Sequence, residues 1–267
     1  MHFVQHVVDA FTDRPFRGNP AAVVHLDDDL PESLMQAIAA ENNLSETAFV
    51  APAAADGTRR LRWFTPKVEV ALCGHATLAT AASLADLGDA GPWRFSTRSG
   101  PLAVTREGKR FVLDFPAWVP APAQAPEGLA AALGATPREV WKARDWICVF
   151  DTPAEIEALD PDHGLIAALP GERVIATAAG GEGGVDVTSR YFAAKVGIAE
   201  DPVTGAAHTQ LVPFWAARLG RTRLLCRQAS RRGGLLHTEL VGERVRMGGE
   251  AVIFARATIE LPDDAAI

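Results

Sequence analysis

The sequence has 267 residues, of which 48% are hydrophobic and 22% are charged, and its formal net charge is −7. This length and composition are typical of a globular protein of about two domains with enough apolar residues for its own core. The acidic balance, without any cluster of Lys and Arg, excludes a nucleic-acid partner, and the lack of an apolar run of about 18 residues excludes a membrane span.

The first half of the chain predicts alternating strands and helices, with turns rich in Pro, Gly and Asn between them. A helix is predicted where Pro31 opens an apolar periodicity, and another where a run rich in Ala and Leu ends at Gly88. The predicted strands are 2–11, 20–26, 46–51 and 58–65, with short strands within 92–115, and the predicted helices are 31–42 and 74–87.

The second half shows a similar mixture of predicted strands and helices. It follows a proline-rich stretch, 117–126, which we expect to link two domains. Without a strict alternation of strands and helices, the chain favours an α+β class. We expect domains at 1–116 and 127–251, and a last strand at about 252–267 is a candidate to complete the first domain. The predicted helices here are 127–142, 153–168 and 205–219, and the predicted strands are 145–150, 173–178 and 184–192.

The two halves also resemble each other at a fixed offset of 128 residues. The segments 62–73 and 190–201 share five identical residues, and a glycine that opens a helix follows each, Gly74 and Gly205. The pattern indicates a duplicated strand, loop and helix. Each helix start offers unpaired N–H groups and partial positive charge, so two of them at a cleft between domains would bind an anionic substrate without Lys or Arg.

Several polar residues are candidates for chemistry. Glu46 opens an apolar strand and is either a solvated strand-edge residue or an acid/base for proton transfer. His75 either bonds locally at a helix start or contacts a ligand. Asp201 and Thr204 either cap a helix or serve a site, and Cys73 at a helix start is either buried or activated.

The three cysteines, which include Cys148 and Cys226, form no C-x-x-C pair, so we expect no zinc site. Their number and spacing suit a reducing compartment. The N-terminus lacks the features of a signal peptide, so the expected location is the cytoplasm. The glycine-rich 180–184 matches neither a phosphate loop nor a dinucleotide fingerprint, and no cofactor signature is present.

Seven motifs follow one another in the order found in PhzF-like phenazine-biosynthesis proteins, and the chain resembles that family over nearly its whole length. The motifs are Val8–Thr12, Phe16–Val24, Asn43–Thr47, Leu72–Thr77, Ser189–Phe192, Glu200–Gly205 and Arg231–Gly234. The resemblance implies the diaminopimelate epimerase fold, in which two similar α+β domains each wrap a barrel-like mixed sheet around a central helix. It also implies a homodimer.

The resemblance further implies an isomerase without cofactor or metal, acting on a small carboxylate or amino-acid-like metabolite bound between the domains. Its motifs place catalytic roles on Glu46, His75 and Asp201, with Glu46 shuttling a proton in a 1,3 double-bond shift. The implied substrate-binding residues are Asn19, Gly74, Thr204, Gly205 and Ala206. Ala206 departs from the family, which has a serine there, so a substrate-facing hydroxyl is missing while the backbone N–H remains.

Two other hypotheses stay open at the level of sequence. A racemase or epimerase would use Glu46 or Cys73 with Asp201 or His75 on the opposite face of one carbon. A protein of the same fold would bind a metabolite without turning it over. Retention of the three candidate catalytic residues favours catalysis, whereas the loss at Ala206 favours binding alone.

Overall fold

A computed structural model of the protein describes residues 1–171 and 173–262. Its strands, numbered in chain order, are β1 (His2–Ala10), β2 (Asn19–His25), β3 (Glu46–Ala53), β4 (Thr58–Phe64), β5 (Glu69–Val70), β6 (Trp93–Thr97), β7 (Gly100–Glu107), β8 (Arg110–Pro116), β9 (Ala121–Pro122), β10 (Glu139–Lys142), β11 (Trp146–Val149), β12 (Val174–Ala179), β13 (Val187–Ala193), β14 (Ile198–Glu200), β15 (Arg223–Gln228), β16 (Gly234–Val241), β17 (Arg244–Gly249) and β18 (Ala251–Glu260).

The helices are α1 (Glu32–Asn42), α2 (Gly74–Asp86), α3 (Leu129–Leu133), α4 (Pro153–Ala158), α5 (His163–Ala168) and α6 (Gly205–Leu219), with short 3-10 turns at Glu182–Gly184 and Ala194–Val196. The chain forms two compact units. Unit 1 comprises Met1–Asp114 and the described residues from Gly248 onward, and unit 2 comprises Phe115–Met247. No helix within the described residues is long and apolar enough to cross a membrane.

Unit 1 is a mixed sheet curled around α2. Strand β1 pairs antiparallel with β2 and β18, β2 pairs parallel with β3, and β4 pairs antiparallel with β3 and parallel with β6. Helix α2 is buried over most of its length because its residues are small or apolar all round. Its buried threonines satisfy their hydroxyls within the helix, since Thr77 and Thr80 donate to the carbonyls of Cys73 and Ala76.

Unit 2 repeats this order of pairings, which agrees with the repeat seen in the sequence. Strand β12 pairs parallel with β11 and antiparallel with β13, and β13 pairs parallel with β15. Its buried helix is α6, which occupies the place in the order that α2 has in unit 1. The α+β architecture with two barrel-like sheets around central helices is therefore confirmed. The predicted domain bounds themselves stay a prediction.

Two helix predictions in the second half are wrong in detail. Within 127–142 the helix α3 ends at Gly134, which adopts a left-handed conformation, and the residues after Pro137 form β10 instead. Glycine and proline stop the helix, and pairing with β11 fixes the Val and Trp that follow as a strand. Within 153–168 the chain forms two short helices, because Pro161 interrupts the run and Asp162 caps a new start.

Two histidines, the half-buried His25 and the fully buried His208, make the stability of the fold depend on pH. Burial lowers the pKa of His25, in unit 1, to about 4, helped by His6 and Arg59, and burial lowers the pKa of His208, in unit 2, to about 4 as well. Unfolded chains bind these protons near pH 6.5 and the native chain only near pH 4. The contribution of these two histidines to stability is therefore full above about pH 6.5 and falls as the pH drops towards 4, by roughly 2–3 kcal/mol for each histidine.

Urea unfolding at a series of pH values between 7 and 4 measures this dependence. The variant His208→Gln keeps an N–H for the carbonyl of Thr204, which Nδ1 of His208 contacts at 2.8 Å, but it does not titrate. We expect the free energy of unfolding of this variant to depend less steeply on pH than that of the parent protein. Equal slopes for the variant and the parent protein would remove His208 from the explanation.

Candidate active site

Glu46 is the first residue of β3, and only 9% of its surface is exposed. The residues that follow it are apolar and buried, and β3 is held between β2 and β4, so the backbone that carries this buried carboxylate is fixed in the sheet. The interpretation of Glu46 as a solvated strand-edge residue is therefore wrong. A buried carboxylate is costly unless nearby polar groups compensate it, which makes its surroundings informative.

The start of α2 supplies those surroundings. Cys73 occupies the N-cap position and His75 the second position of the helix, and both are buried. Nε2 of His75 lies 3.1 Å from Oε2 of Glu46, and Nδ1 of His75 lies 3.5 Å from Sγ of Cys73. The imidazole thus stands between a carboxylate and a thiol.

Asn19 approaches the same imidazole from β2. Its side-chain nitrogen lies 3.2 Å from Nδ1 of His75, and the residue is fully buried. The preceding Gly18 has φ +65°, and a Cβ there would lie 2.1 Å from the carbonyl oxygen of Ala10. Only glycine fits this approach of two backbone segments, which fixes where Asn19 begins its strand.

The charges in this cluster act on one another. Burial lowers the pKa of His75, but the Cys73 sulfur and the Glu46 carboxylate beside the ring raise it, and the net direction is upward. Burial and the charge of Glu46 raise the pKa of the Cys73 thiol. Cys73 therefore stays a thiol at neutral pH, and it is not a strong base or nucleophile there.

Two buried atoms of the cluster make no hydrogen bond to any described residue. They are Oε2 of Glu46 and Nε2 of His75, whose 3.1 Å contact brings charge together without the alignment of a hydrogen bond. Buried polar atoms are usually satisfied, so two unsatisfied atoms of opposite character next to each other indicate a place where a polar ligand completes the bonding.

Glu46, Cys73 and His75 also offer an oxygen, a sulfur and a nitrogen within 4.8 Å of one another, the one such group within residues 1–171 and 173–262. These donor types suit zinc. However, the sulfur faces Nδ1 and the carboxylate faces Nε2, on opposite sides of one ring. A metal ion would use a single ring nitrogen, so the three donors as placed do not converge on one point.

The remaining predicted site residues lie in unit 2. Thr204 is the N-cap of α6 but makes no side-chain capping bond, and its hydroxyl instead donates to Oδ2 of Asp201 at 2.5 Å. Simple helix capping therefore does not explain this pair. Gly205 and Ala206 open α6, and their position in its first turn leaves backbone N–H groups without partners in the helix.

Gln228 is a positioning residue that the sequence does not point to. It is fully buried in β15, its side-chain oxygen accepts from the backbone N–H of Thr204 at 2.8 Å, and its nitrogen donates to the carbonyl of Asp201 at 2.7 Å. It therefore fixes the turn that carries the predicted site residues of unit 2. It lies 24 residues beyond Thr204, with no motif around it.

Comparison with known proteins shows the class of protein to which this fold and cluster belong. The family of phenazine biosynthesis-like proteins (PhzC-PhzF) matches residues 8–257. An uncharacterized isomerase of Pseudomonas aeruginosa is 52% identical over 256 residues, which cover 95% of this chain and 97% of that protein. The chain is an isomerase-class enzyme and belongs to the phenazine biosynthesis-like family.

Solved structures agree with this assignment. A PhzF-family protein of Enterococcus faecalis is 44% identical with a TM-score of 0.94, over 98% of this chain and 100% of that chain. A phenazine biosynthesis PhzC/PhzF protein of Clostridium difficile is 39% identical with a TM-score of 0.91, over 97% and 100% of the two chains. The resemblance carried by the seven motifs is thereby confirmed.

Proposed function

We propose that this isomerase moves a proton between two carbons of a small carboxylate or amino-acid-like metabolite, with Glu46 as its single acid/base and without a cofactor. The observation that carries the proposal is the buried Glu46 carboxylate, 3.1 Å from a histidine, with an unsatisfied atom on each residue. A substrate group placed there would satisfy both atoms and bring a C–H bond within reach of the carboxylate.

The proposed step balances without an oxidant or reductant. Glu46 takes a proton from an allylic carbon, the electrons of that C–H bond move into a conjugated π system, and the double bond shifts by one position. The Glu46 carboxylic acid then returns the proton to the carbon at the far end of the system, which restores the carboxylate. The substrate's own conjugation acidifies the first carbon.

The other residues have proposed supporting roles. His75 donates a hydrogen bond or a proton beside Glu46, and Asp201 is the third proposed catalytic residue, held by Thr204. Asn19, Gly74, Thr204, Gly205 and Ala206 are proposed to bind the substrate. These assignments are supported by the starts of α2 and α6, at Gly74 and Gly205. Backbone N–H groups at a helix start suit a carboxylate, and they need no serine hydroxyl at position 206.

A thiol-based epimerase is the weaker candidate. Such an enzyme needs a thiolate to lift a proton at neutral pH, whereas burial raises the pKa of Cys73. The retained Glu46 and His75 pair also argues against a protein that only binds its metabolite. We further propose a cytoplasmic homodimer, supported by the family resemblance and, for the location, by three free cysteines that are all buried.

Exchange of substrate hydrogen with deuterium from D₂O tests the function. The protein is incubated with a panel of small cyclic and unsaturated amino and hydroxy carboxylates, and carbon-bound hydrogen is followed by proton NMR. A double bond that moves, with deuterium at the new position, supports the proposal. Deuterium at a single centre that inverts would indicate an epimerase instead, and binding without any exchange would indicate a protein that is not catalytic.

A further inference from the structure

We propose that Asn19 and Cys73 are positioning residues that select one tautomer of His75, the form with its N–H on Nε2. The observations are two contacts on the other ring nitrogen. The side-chain nitrogen of Asn19 lies 3.2 Å from Nδ1, and Sγ of Cys73 lies 3.5 Å from the same atom. The consequence of this tautomer for catalysis rests on the proposed role of Glu46, whereas the assignment of the tautomer is independent of that role.

The chemistry of the two neighbours decides which nitrogen holds the hydrogen. The amide nitrogen of asparagine only donates hydrogen bonds, and a protonated thiol donates its single S–H. Both groups stand at hydrogen-bonding distance from Nδ1. A neutral imidazole has one acceptor and one donor nitrogen, so Nδ1 becomes the acceptor and the hydrogen resides on Nε2.

The consequence lies on the far side of the ring. Nε2 lies 3.1 Å from Oε2 of Glu46, so the selected tautomer puts its N–H, rather than a lone pair, on the nitrogen beside the proposed acid/base. The opposite tautomer would place a lone pair there, and a lone pair beside a carboxylate can neither orient it nor give up a proton. Three elements thus converge on one ring, β2 through Asn19, β3 through Glu46 and α2 through Cys73.

The tautomer can be measured directly. Two-bond nitrogen–proton correlation NMR of protein labelled with nitrogen-15 in its histidines distinguishes Nδ1–H from Nε2–H, and His75→Gln identifies the signals of His75. At a pH where the ring is neutral, we expect the Nε2–H form. An Nδ1–H form, or a ring that stays doubly protonated at every pH at which the protein is folded, would overturn the proposal.

Four variants test whether Cys73 and Asn19 select the tautomer of His75. Cys73→Ser keeps a donor and should keep the tautomer, whereas Cys73→Ala should mix in the other form. Cys226→Ala removes an equally buried cysteine elsewhere and should change nothing at His75. Asn19→Asp replaces the donor by an acceptor of the same shape and should move the hydrogen to Nδ1. An unchanged tautomer in both Cys73→Ala and Asn19→Asp would contradict the assigned roles.

Turnover provides a separate comparison. If Glu46 is the acid/base, we expect Asn19→Asp to lower turnover by about 10² to 10⁴, the range that a general acid or base contributes, and Cys73→Ser to restore most of what Cys73→Ala loses. A protein with the Nε2–H tautomer but no exchange activity would refute the proposed function alone. Activity with the Nδ1–H tautomer would refute only this inference.

Discussion

Replacing Glu46 with Gln should lower the rate of deuterium incorporation by at least about 10² to 10⁴, which is what a positioned acid or base contributes. The amide has nearly the shape of the carboxylate, but it neither accepts a proton from carbon nor gives one back. Substrate binding should change much less than turnover, because the contacts to the rest of the substrate remain. Exchange kinetics and a binding titration on the same protein separate the two effects.

Glu69→Gln is the matched control for this prediction. Glu69 opens β5 in the same unit, its side chain is 5% exposed, and its oxygens are engaged by Arg62 at 2.7 Å and 2.8 Å. The substitution makes the same change of charge at a buried carboxylate, so it should cost stability and spare the activity of the folded fraction. If both variants lose activity equally, or if Glu46→Gln keeps the parent rate, Glu46 is not the acid/base.

Replacing Gly18 with Ala should destabilise unit 1 by roughly 3–5 kcal/mol, near the upper end for a single substitution. A side chain at φ +65° is strained by about 1–2 kcal/mol, and its Cβ would lie 2.1 Å from the carbonyl oxygen of Ala10. Neither backbone segment can withdraw easily, since Ala10 pairs with Asn19 in the sheet. Denaturant unfolding measures the loss.

Gly108→Ala provides the comparison that isolates the clash. Gly108 has φ +64°, almost the value of Gly18, but a Cβ there meets nothing within 4 Å. Its cost should therefore be only the conformational strain of about 1–2 kcal/mol. The difference between the two losses of unfolding free energy measures the cost of the close approach between the backbone at Gly18 and the backbone at Ala10. Equal losses would mean that the approach is relieved by a small shift of the backbone.

Much of this fold was predictable because its signals are local or repeated. The apolar run of α2, the long stretch from Gly205 to Gly220 that forms α6, and the similarity of residues 62–73 to 190–201 are all visible in one pass along the chain. The short helices were less predictable. Around Gly134 the helical preference of an alanine-rich run ends, and the strand that follows is fixed by pairing with β11, a partner that no local window contains.

The candidate site shows the same difference between features with a local signal in the sequence and contacts made at long range. The motifs predict Glu46 and His75, but their contact joins residues 29 positions apart and depends on the packing of α2 against β3. The position of Cys73 at a helix start was visible, whereas the contact of its sulfur with the imidazole was not. Gln228 gave no signal at all, because a buried glutamine in a strand has the same local pattern whether it fixes a site or only fills a core.

The pairing of β18 with β1 has a consequence for how the protein folds. Strand β1 pairs with β2 on one side and with β18 on the other, over His2 to Ala10, and the amino group of Met1 bonds to the carbonyl of Leu261. Unit 2 is one continuous segment of the chain, whereas unit 1 needs residues from both sides of that segment. Until β18 is synthesised and pairs with it, β1 keeps an unpaired edge, which is the kind of surface that recruits chaperones or other chains.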